Sequence, residues 1–192
     1  MTHALPGAPT PTVAVAQRAG LISAALAGGA VSVAIGVYGR VHHPTGRAIT
    51  SLGFPSLLSM KAWLATAVIA LAVFQVVSAS WLYGRLPLGD PPAWLGTVHR
   101  WSGTTAFLTS LPVAYHCLWS LGFQATSARV LIHSMLGCAL YGAIATKLLV
   151  LRLDDAPVWV LPVAGGLVAT VLVGLWLTSA LWLFTTVGFP AL

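Results

Sequence analysis

The architecture of this chain is decided by residues 112–138, which read PVAYHCLWSLGFQATSARVLIHSMLGC. Two apolar segments flank a short turn at residues 122–127, and each segment carries one histidine, His116 before the turn and His133 after it. A short turn between two helical segments predicts an antiparallel helical hairpin. Because the turn lies midway between the two histidines, the sequence predicts that both imidazoles lie at the same depth in the hairpin.

A third histidine, His99, precedes His116 by 17 residues on the same predicted helix. At 1.5 Å per residue, the two side chains are ~25 Å apart along the helix axis. One metal ion cannot bridge that distance, since a metal-bound nitrogen lies ~2 Å from its metal. The spacing therefore separates a pair, His116 and His133, from a single histidine near the opposite end of the bundle.

Composition places the whole chain in a membrane. Of its 192 residues, 58% are hydrophobic and 6% are charged, with a mean hydropathy of +0.91, whereas soluble domains carry about 25% charged residues. The sequence predicts an all-α integral membrane bundle of five transmembrane helices, at about residues 20–39, 57–84, 93–121, 128–151 and 157–184. These form a single domain, residues 17–192, after a Pro/Ala/Thr-rich segment, residues 1–16, that is expected to be a flexible tail.

The net charge of +6 comes from nine basic and three acidic residues scattered at the predicted helix ends. This pattern favours anchoring at the lipid headgroups, and the absence of a basic run with interleaved aromatics argues against a nucleic-acid partner. The expected environment is the lipid bilayer, as a multi-pass protein of the cell membrane. Basic residues divide almost equally between the two faces, so they do not decide the orientation.

Neutral imidazole binds haem iron, and paired membrane helices are a common place for a haem. His116 and His133 are therefore predicted to bind one haem b. Gly137 and Tyr141 follow His133 on the same helix face, and a glycine one turn from a ligand leaves room for a flat porphyrin. Pro112 is expected to kink the preceding helix one turn before His116.

Several residues keep alternative interpretations. A single membrane histidine is often only a hydrogen-bonding group between helices. His99 is a candidate ligand of a second haem, a hydrogen-bond partner of a quinone, or a contact to a neighbouring helix, with Gln75 as a candidate partner. His42 and His43 are expected to be solvated loop residues, with a replacement ligand or a lip over the haem as the alternative. Lys61 is expected to extend its amino group to the interface.

The motif H-x-x-x-G occurs twice, at His99–Gly103 and His133–Gly137, 34 residues apart. This repeat resembles the core of the cytochrome b561 and ferric-reductase-like membrane haem proteins, over about half of the chain. In a two-haem b561 core, the resemblance implies that His133 pairs with the second helix and His99 with the fifth. Neither helix has a histidine here, and Ala65 occupies the position 34 residues before His99.

The whole chain is also similar to an uncharacterised family of actinobacterial integral membrane proteins, through residues 61–66 (KAWLAT), 112–119 (PVAYHCLW) and 133–138 (HSMLGC). Three functions follow from the sequence as expectations. The first is a b-type cytochrome that transfers electrons, with a quinone or a redox protein as candidate partner and no flavin or nicotinamide motif of its own. The second is a haem-free accessory or structural subunit, and the third is a small transporter that uses the histidines and Lys147.

Overall fold

The computed structural model describes residues 11–154 and 156–192, and every regular element in that part of the chain is helical. The helices are α1 (Pro11–Val41), α2 (Leu57–Leu82), α3 (Leu95–His116), α4 (Ala128–Val150) and α5 (Val160–Thr186). The predicted all-helical fold is thus confirmed. Four of these helices, all except α3, are long and apolar enough to cross a membrane, as expected of a multi-pass membrane protein.

The third helix differs from the others in its polarity. Its first half carries Arg100, Ser102 and Thr104, which lower its hydropathy below that of a typical membrane span. A membrane crossing by α3, and with it the count of five spans, stays a prediction.

The first helix begins earlier than the sequence analysis placed it. Residues 11–16 were expected to belong to a flexible tail, but they form the first turns of α1. Proline is favoured at the first position of a helix, where its missing N–H leaves no bond unmade, so Pro11 begins the helix rather than preventing it. Residues 1–10, the rest of the expected tail, lie outside the described residues.

Two helices contain one π turn each, and both π turns adjoin predicted site residues. The α-helix α3 remains regular through Pro112 to His116 and then continues as the π turn Cys117–Leu121. The second π turn, Leu177–Leu181, interrupts α5. A π turn shifts the backbone hydrogen-bond pattern by one residue, leaves carbonyl groups for other partners and is frequent at functional sites.

The α1–α2 loop closes the end of α3. Thr45 donates its backbone N–H to the Trp119 carbonyl (3.2 Å), and Gly46 donates to the Ser120 carbonyl (3.0 Å). In return, the Ser120 hydroxyl donates to the Arg47 carbonyl (2.7 Å). The last carbonyls of a helix have no partner within the helix, so this loop supplies the donors that they lack.

The order in which the helices pack leaves two of them apart. α3 packs against α2, α2 against α5, α5 against α4, and α4 against α1, whereas α3 and α4 are not among the pairs that pack along their lengths. Helices joined by a turn as short as residues 122–127 are usually direct neighbours. Here a gap separates them, and it runs through the interior of the bundle.

α1 and α4 approach each other closely at two glycines, Gly28 and Gly142. A Cβ atom added at Gly142 would overlap the Ser32 hydroxyl and the Gly28 carbonyl, and one added at Gly28 would overlap the Thr146 side chain and the Gly142 carbonyl. Small residues allow membrane helices to approach at such distances. Gly28 therefore allows the close approach of α1 to α4, whereas a Cβ atom at Gly29 would meet no neighbouring atom within 4 Å.

We expect Gly142→Ala to destabilise the protein by about 1–3 kcal/mol, because its methyl group has no space between α1 and α4. The matched control is Gly166→Ala on α5, where an added Cβ meets open space and alanine favours the helix. Thermal unfolding in detergent, followed by tryptophan fluorescence, should show a lower apparent Tm for Gly142→Ala only. Equal Tm values for the two variants would contradict the close α1–α4 contact.

Candidate ligand site between the third and fourth helices

The gap between α3 and α4 contains a cavity of about 190 Å³, lined by residues from all five helices. A buried water molecule needs only ~10–15 Å³, so this volume suits a ligand. Most of the wall is aliphatic or aromatic, and its polar and sulfur-containing members are Lys61, Ser110, Cys117, Gln124, His133, Ser134, Cys138, Tyr141 and Ser179.

Four residues of α4 lie in one row along the helix, at every fourth position: Arg129, His133, Gly137 and Tyr141. The last three line the cavity, and residues four apart share a helix face. A Cβ atom added at Gly137 would meet no other atom within 4 Å. Gly137 therefore leaves open space directly beside His133, where the sequence predicted room for a flat ligand.

The tautomer of His133 follows from its hydrogen bond to α5. Its Nδ1 lies 3.0 Å from the Thr178 hydroxyl, and that hydroxyl donates its one hydrogen to the Gly174 carbonyl at 2.7 Å. The hydroxyl therefore accepts from the imidazole, and we assign the ring proton to Nδ1. In a neutral imidazole, Nε2 then carries a lone pair.

Arg129 fixes the same threonine from one turn earlier on α4. Its guanidinium donates to the Thr178 carbonyl (2.6 Å) and stacks over the Trp182 ring, 3.7 Å from the ring centroid. Thr178 lies in the π turn Leu177–Leu181, where the shifted backbone pattern leaves a carbonyl for this bond. Thr178 was not anticipated, because it lies 45 residues from His133 and a threonine in an apolar helix gives no signal of its partner.

His116 is buried, with 1% of its surface exposed. Its Nδ1 lies 2.8 Å from the Pro112 carbonyl, which only accepts, so Nδ1 carries the proton here too. Its Nε2 is buried and has no hydrogen-bond partner among the described residues. A buried polar atom without a partner is costly in a protein interior, which makes His116 the most unusual histidine of the chain.

The structure does not bring His116 and His133 onto one cavity wall. His116 lines a separate, more open pocket between α3 and the α1–α2 loop, together with Ile49 and Leu52, whereas His133 lines the cavity between α3 and α4. The predicted equal depth concerns position along the helix axes. Equal depth does not specify the direction in which each ring points around its helix. His116 and His133 point in different directions, and each therefore lines a different pocket.

His99 lies among polar groups between α2 and α3. Its Nδ1 is 2.7 Å from the Ser78 hydroxyl, which donates to the Phe74 carbonyl at 2.7 Å, so the ring again donates through Nδ1. Gln75, the expected partner, donates to the backbone carbonyl of His99 (2.5 Å) and to the Ser102 hydroxyl (2.7 Å). Gln75 therefore contacts His99 as expected, but Ser78, one turn further along α2, is the partner of the ring.

Tyr141 crosses the gap at the end away from the α3–α4 turn. Its hydroxyl lies 3.0 Å from that of Ser110, and Ser110 donates to the Phe107 carbonyl at 2.7 Å, so Tyr141 donates to Ser110. Its ring also contacts Phe107 edge to face, with centroids 6.2 Å apart. This contact closes the cavity and keeps α3 in register with α4.

The two loop histidines have different surroundings. His43 is exposed, as expected. His42, expected to be solvated, is instead stacked between Tyr38 and Trp119, with centroid distances of 5.1 and 4.7 Å. Its Nε2 donates to the Trp119 carbonyl at 3.2 Å, a carbonyl that also accepts from the backbone N–H of Thr45. The aromatic pair and this carbonyl take the place of water around the ring. Neither residue lines the cavity.

The predicted haem can be compared with the residues present. His133 offers a neutral imidazole with Nε2 unprotonated, and metal-bound histidines donate their other ring N–H to a protein oxygen in this way. The open space beside Gly137 and the apolar wall suit a flat, hydrophobic group. Between residues 11 and 192, Asp155 apart, there is no group of three or more His, Cys, Asp or Glu that could hold a metal ion. The surroundings of His133 fit a flat apolar group, and the haem itself stays a prediction.

We expect the ring proton of His99, His116 and His133 to lie on Nδ1, the nitrogen that faces a protein oxygen in each case. This can be measured by NMR of ¹⁵N-histidine-labelled protein in lipid nanodiscs at neutral pH, with peaks assigned through single His→Gln variants. The exposed His43 provides the reference for a histidine that is not held in one tautomer. A proton on Nε2 of His116 or His133 would contradict the assignment and remove the lone pair that a metal needs.

One protein family matches almost the whole chain. The match covers residues 21–191, and the family is described as a family of unknown function, DUF6529. Comparisons with curated proteins and with solved structures found no match. An uncharacterised family agrees with the sequence analysis, whereas the resemblance to cytochrome b561 has no counterpart among these findings and stays a prediction.

Proposed function

The chain belongs to the DUF6529 family, and we propose that it is a b-type haem protein that transfers electrons in a membrane. In this proposal the haem lies between α3 and α4, with His133 as the axial ligand from α4. The electron donor or acceptor would be a quinone or a redox protein, since the sequence has no flavin or nicotinamide motif of its own.

One observation carries the proposal, namely the gap between two helices that a six-residue turn should hold together. α3 and α4 do not pack along their lengths, and the space between them is a cavity with His133 on its wall. A void in a membrane bundle forfeits the packing contacts that hold helices together. A planar ligand between the two helices would restore those contacts.

The residues around His133 suit the task of a haem ligand. Thr178 holds the ring through Nδ1 and so keeps Nε2 available, while Gly137 leaves space beside the ring. The apolar wall excludes water, and burial and hydrogen bonding at the axial ligand set the reduction potential of a haem. When bound, the haem supplies a one-electron couple that the side chains of this chain lack.

His116 is the candidate second ligand from α3. Its Nδ1–H is held by the Pro112 carbonyl, and its Nε2 is buried without a partner, which is the state of an imidazole prepared to bind a metal. It lies outside the cavity wall, so the proposal assigns His133 the primary role.

A second candidate function, a haem-free subunit of a larger membrane complex, is favoured by a different observation. His133 hydrogen-bonds α4 to α5 through Thr178, and His99 hydrogen-bonds α3 to α2 through Ser78. Histidines that connect helices in this way have a structural role without any cofactor. The two functions differ in whether purified protein contains haem.

We expect the protein, expressed with added haem precursor and purified, to give a b-type α band in its reduced-minus-oxidised spectrum. His133→Ala should abolish the band, because it removes the only histidine on the cavity wall, and His116→Ala should abolish it if α3 provides the second ligand. The control His43→Ala alters an exposed loop residue and should leave the band unchanged.

Two results would decide against the proposal. A correctly folded protein without any band would favour the haem-free subunit. A band that survives His133→Ala but disappears in His99→Ala would move the haem to the other end of the bundle.

A further inference from the structure

Among the described residues, Lys61 is the one charged side chain on the cavity wall. It lies near the start of α2, just past the first turn, and is partly buried. His133 lies on the wall of the same cavity. An ammonium group beside an apolar cavity is costly unless an anion neutralises it.

Among the residues that the structure describes, no acidic side chain is present at this end of the bundle. The chain has three aspartates, Asp90, Asp154 and Asp155. By chain order Asp90 and Asp154 follow the far ends of α2 and α4, ~30 Å from Lys61 at 1.5 Å per helical residue, and Asp155 lies outside the described residues. The start of α2 also has a partial positive charge from the helix dipole, which disfavours a lysine and favours an anion.

The other polar groups at this end already have partners. The Ser134 hydroxyl donates to the Gln124 carbonyl (2.9 Å) and accepts from its backbone N–H (3.2 Å), and the Gln124 amide donates to the Leu121 carbonyl (2.7 Å). Arg129 is bonded to Thr178 and stacked on Trp182. Lys61 is therefore the cation on the wall that is available to a ligand.

Beyond Lys61, the α2 side of the wall is aliphatic, through Ala65, Val68 and Ile69. A ligand that fits both parts has an acidic group at one end and an apolar body. We infer that the cavity binds an acidic amphiphile, whose carboxylate or phosphate pairs with Lys61 while its apolar part extends between α3 and α4. A haem, with two carboxylates on one edge, belongs to this class, and to that extent the inference rests on the proposed function.

The inference is tested with two pairs of probes that differ only in the acid group, haem against haem dimethyl ester and oleic acid against oleyl alcohol. Binding to the purified full-length protein is measured by absorbance for the first pair and by isothermal titration for the second. We expect the acid to bind at least tenfold more tightly than its neutral partner. Lys61→Met should abolish that preference and Lys61→Arg should retain it, with Lys147→Met as the control lysine outside the cavity.

Each outcome has a definite meaning. A preference for oleic acid that depends on Lys61, without binding of either haem probe, supports the inference and overturns the proposed haem. Equal binding of acid and neutral probes, or a preference that survives Lys61→Met, overturns the inference even if haem binds through His133. Failure of all four probes to bind a folded protein overturns both.

Discussion

The separation of α3 from α4 is the constraint on which the rest of this structure depends. Each helix is held to a different neighbour, α3 to α2 through His99 and Ser78, and α4 to α5 through His133, Arg129 and Thr178. On its other side, α4 is held to α1 at Gly28 and Gly142. Because these contacts pull the two helices in different directions, the short turn between them cannot close the gap. The cavity is thus a product of packing elsewhere in the bundle.

The same chemistry recurs at three histidines. In His99, His116 and His133, Nδ1 donates to an oxygen of the protein, which fixes the neutral tautomer and leaves the lone pair on Nε2. In His99 and His133 this bond also joins two helices, so one side chain has both a structural and a binding capacity. The surroundings of Nε2 distinguish His133 from His116. The His133 ring lies on the cavity wall, whereas Nε2 of His116 is buried without a hydrogen-bond partner among the described residues.

Helix positions were largely predictable, because local signals determine them. The predicted starts of α2 and α4 agree with Leu57 and Ala128, where Ser56 and Ser127 cap the helices. The row His133, Gly137 and Tyr141 also followed from helical spacing alone. Thr178, Ser78 and the direction of His116 did not, since they depend on how each helix is rotated against its neighbours. The gap itself depends on contacts among all five helices, which no single segment encodes.

In the proposed function, the space between α3 and α4 beside Gly137 holds the ligand of this protein. Native mass spectrometry of the protein released from nanodiscs tests it most directly, by comparing wild type with Gly137→Leu and with the control Gly29→Leu, an exposed glycine on α1. We expect one bound haem per chain in wild type and in Gly29→Leu, and none in Gly137→Leu, with all three proteins folded. Haem retained by Gly137→Leu, or none in wild type, would contradict this expectation.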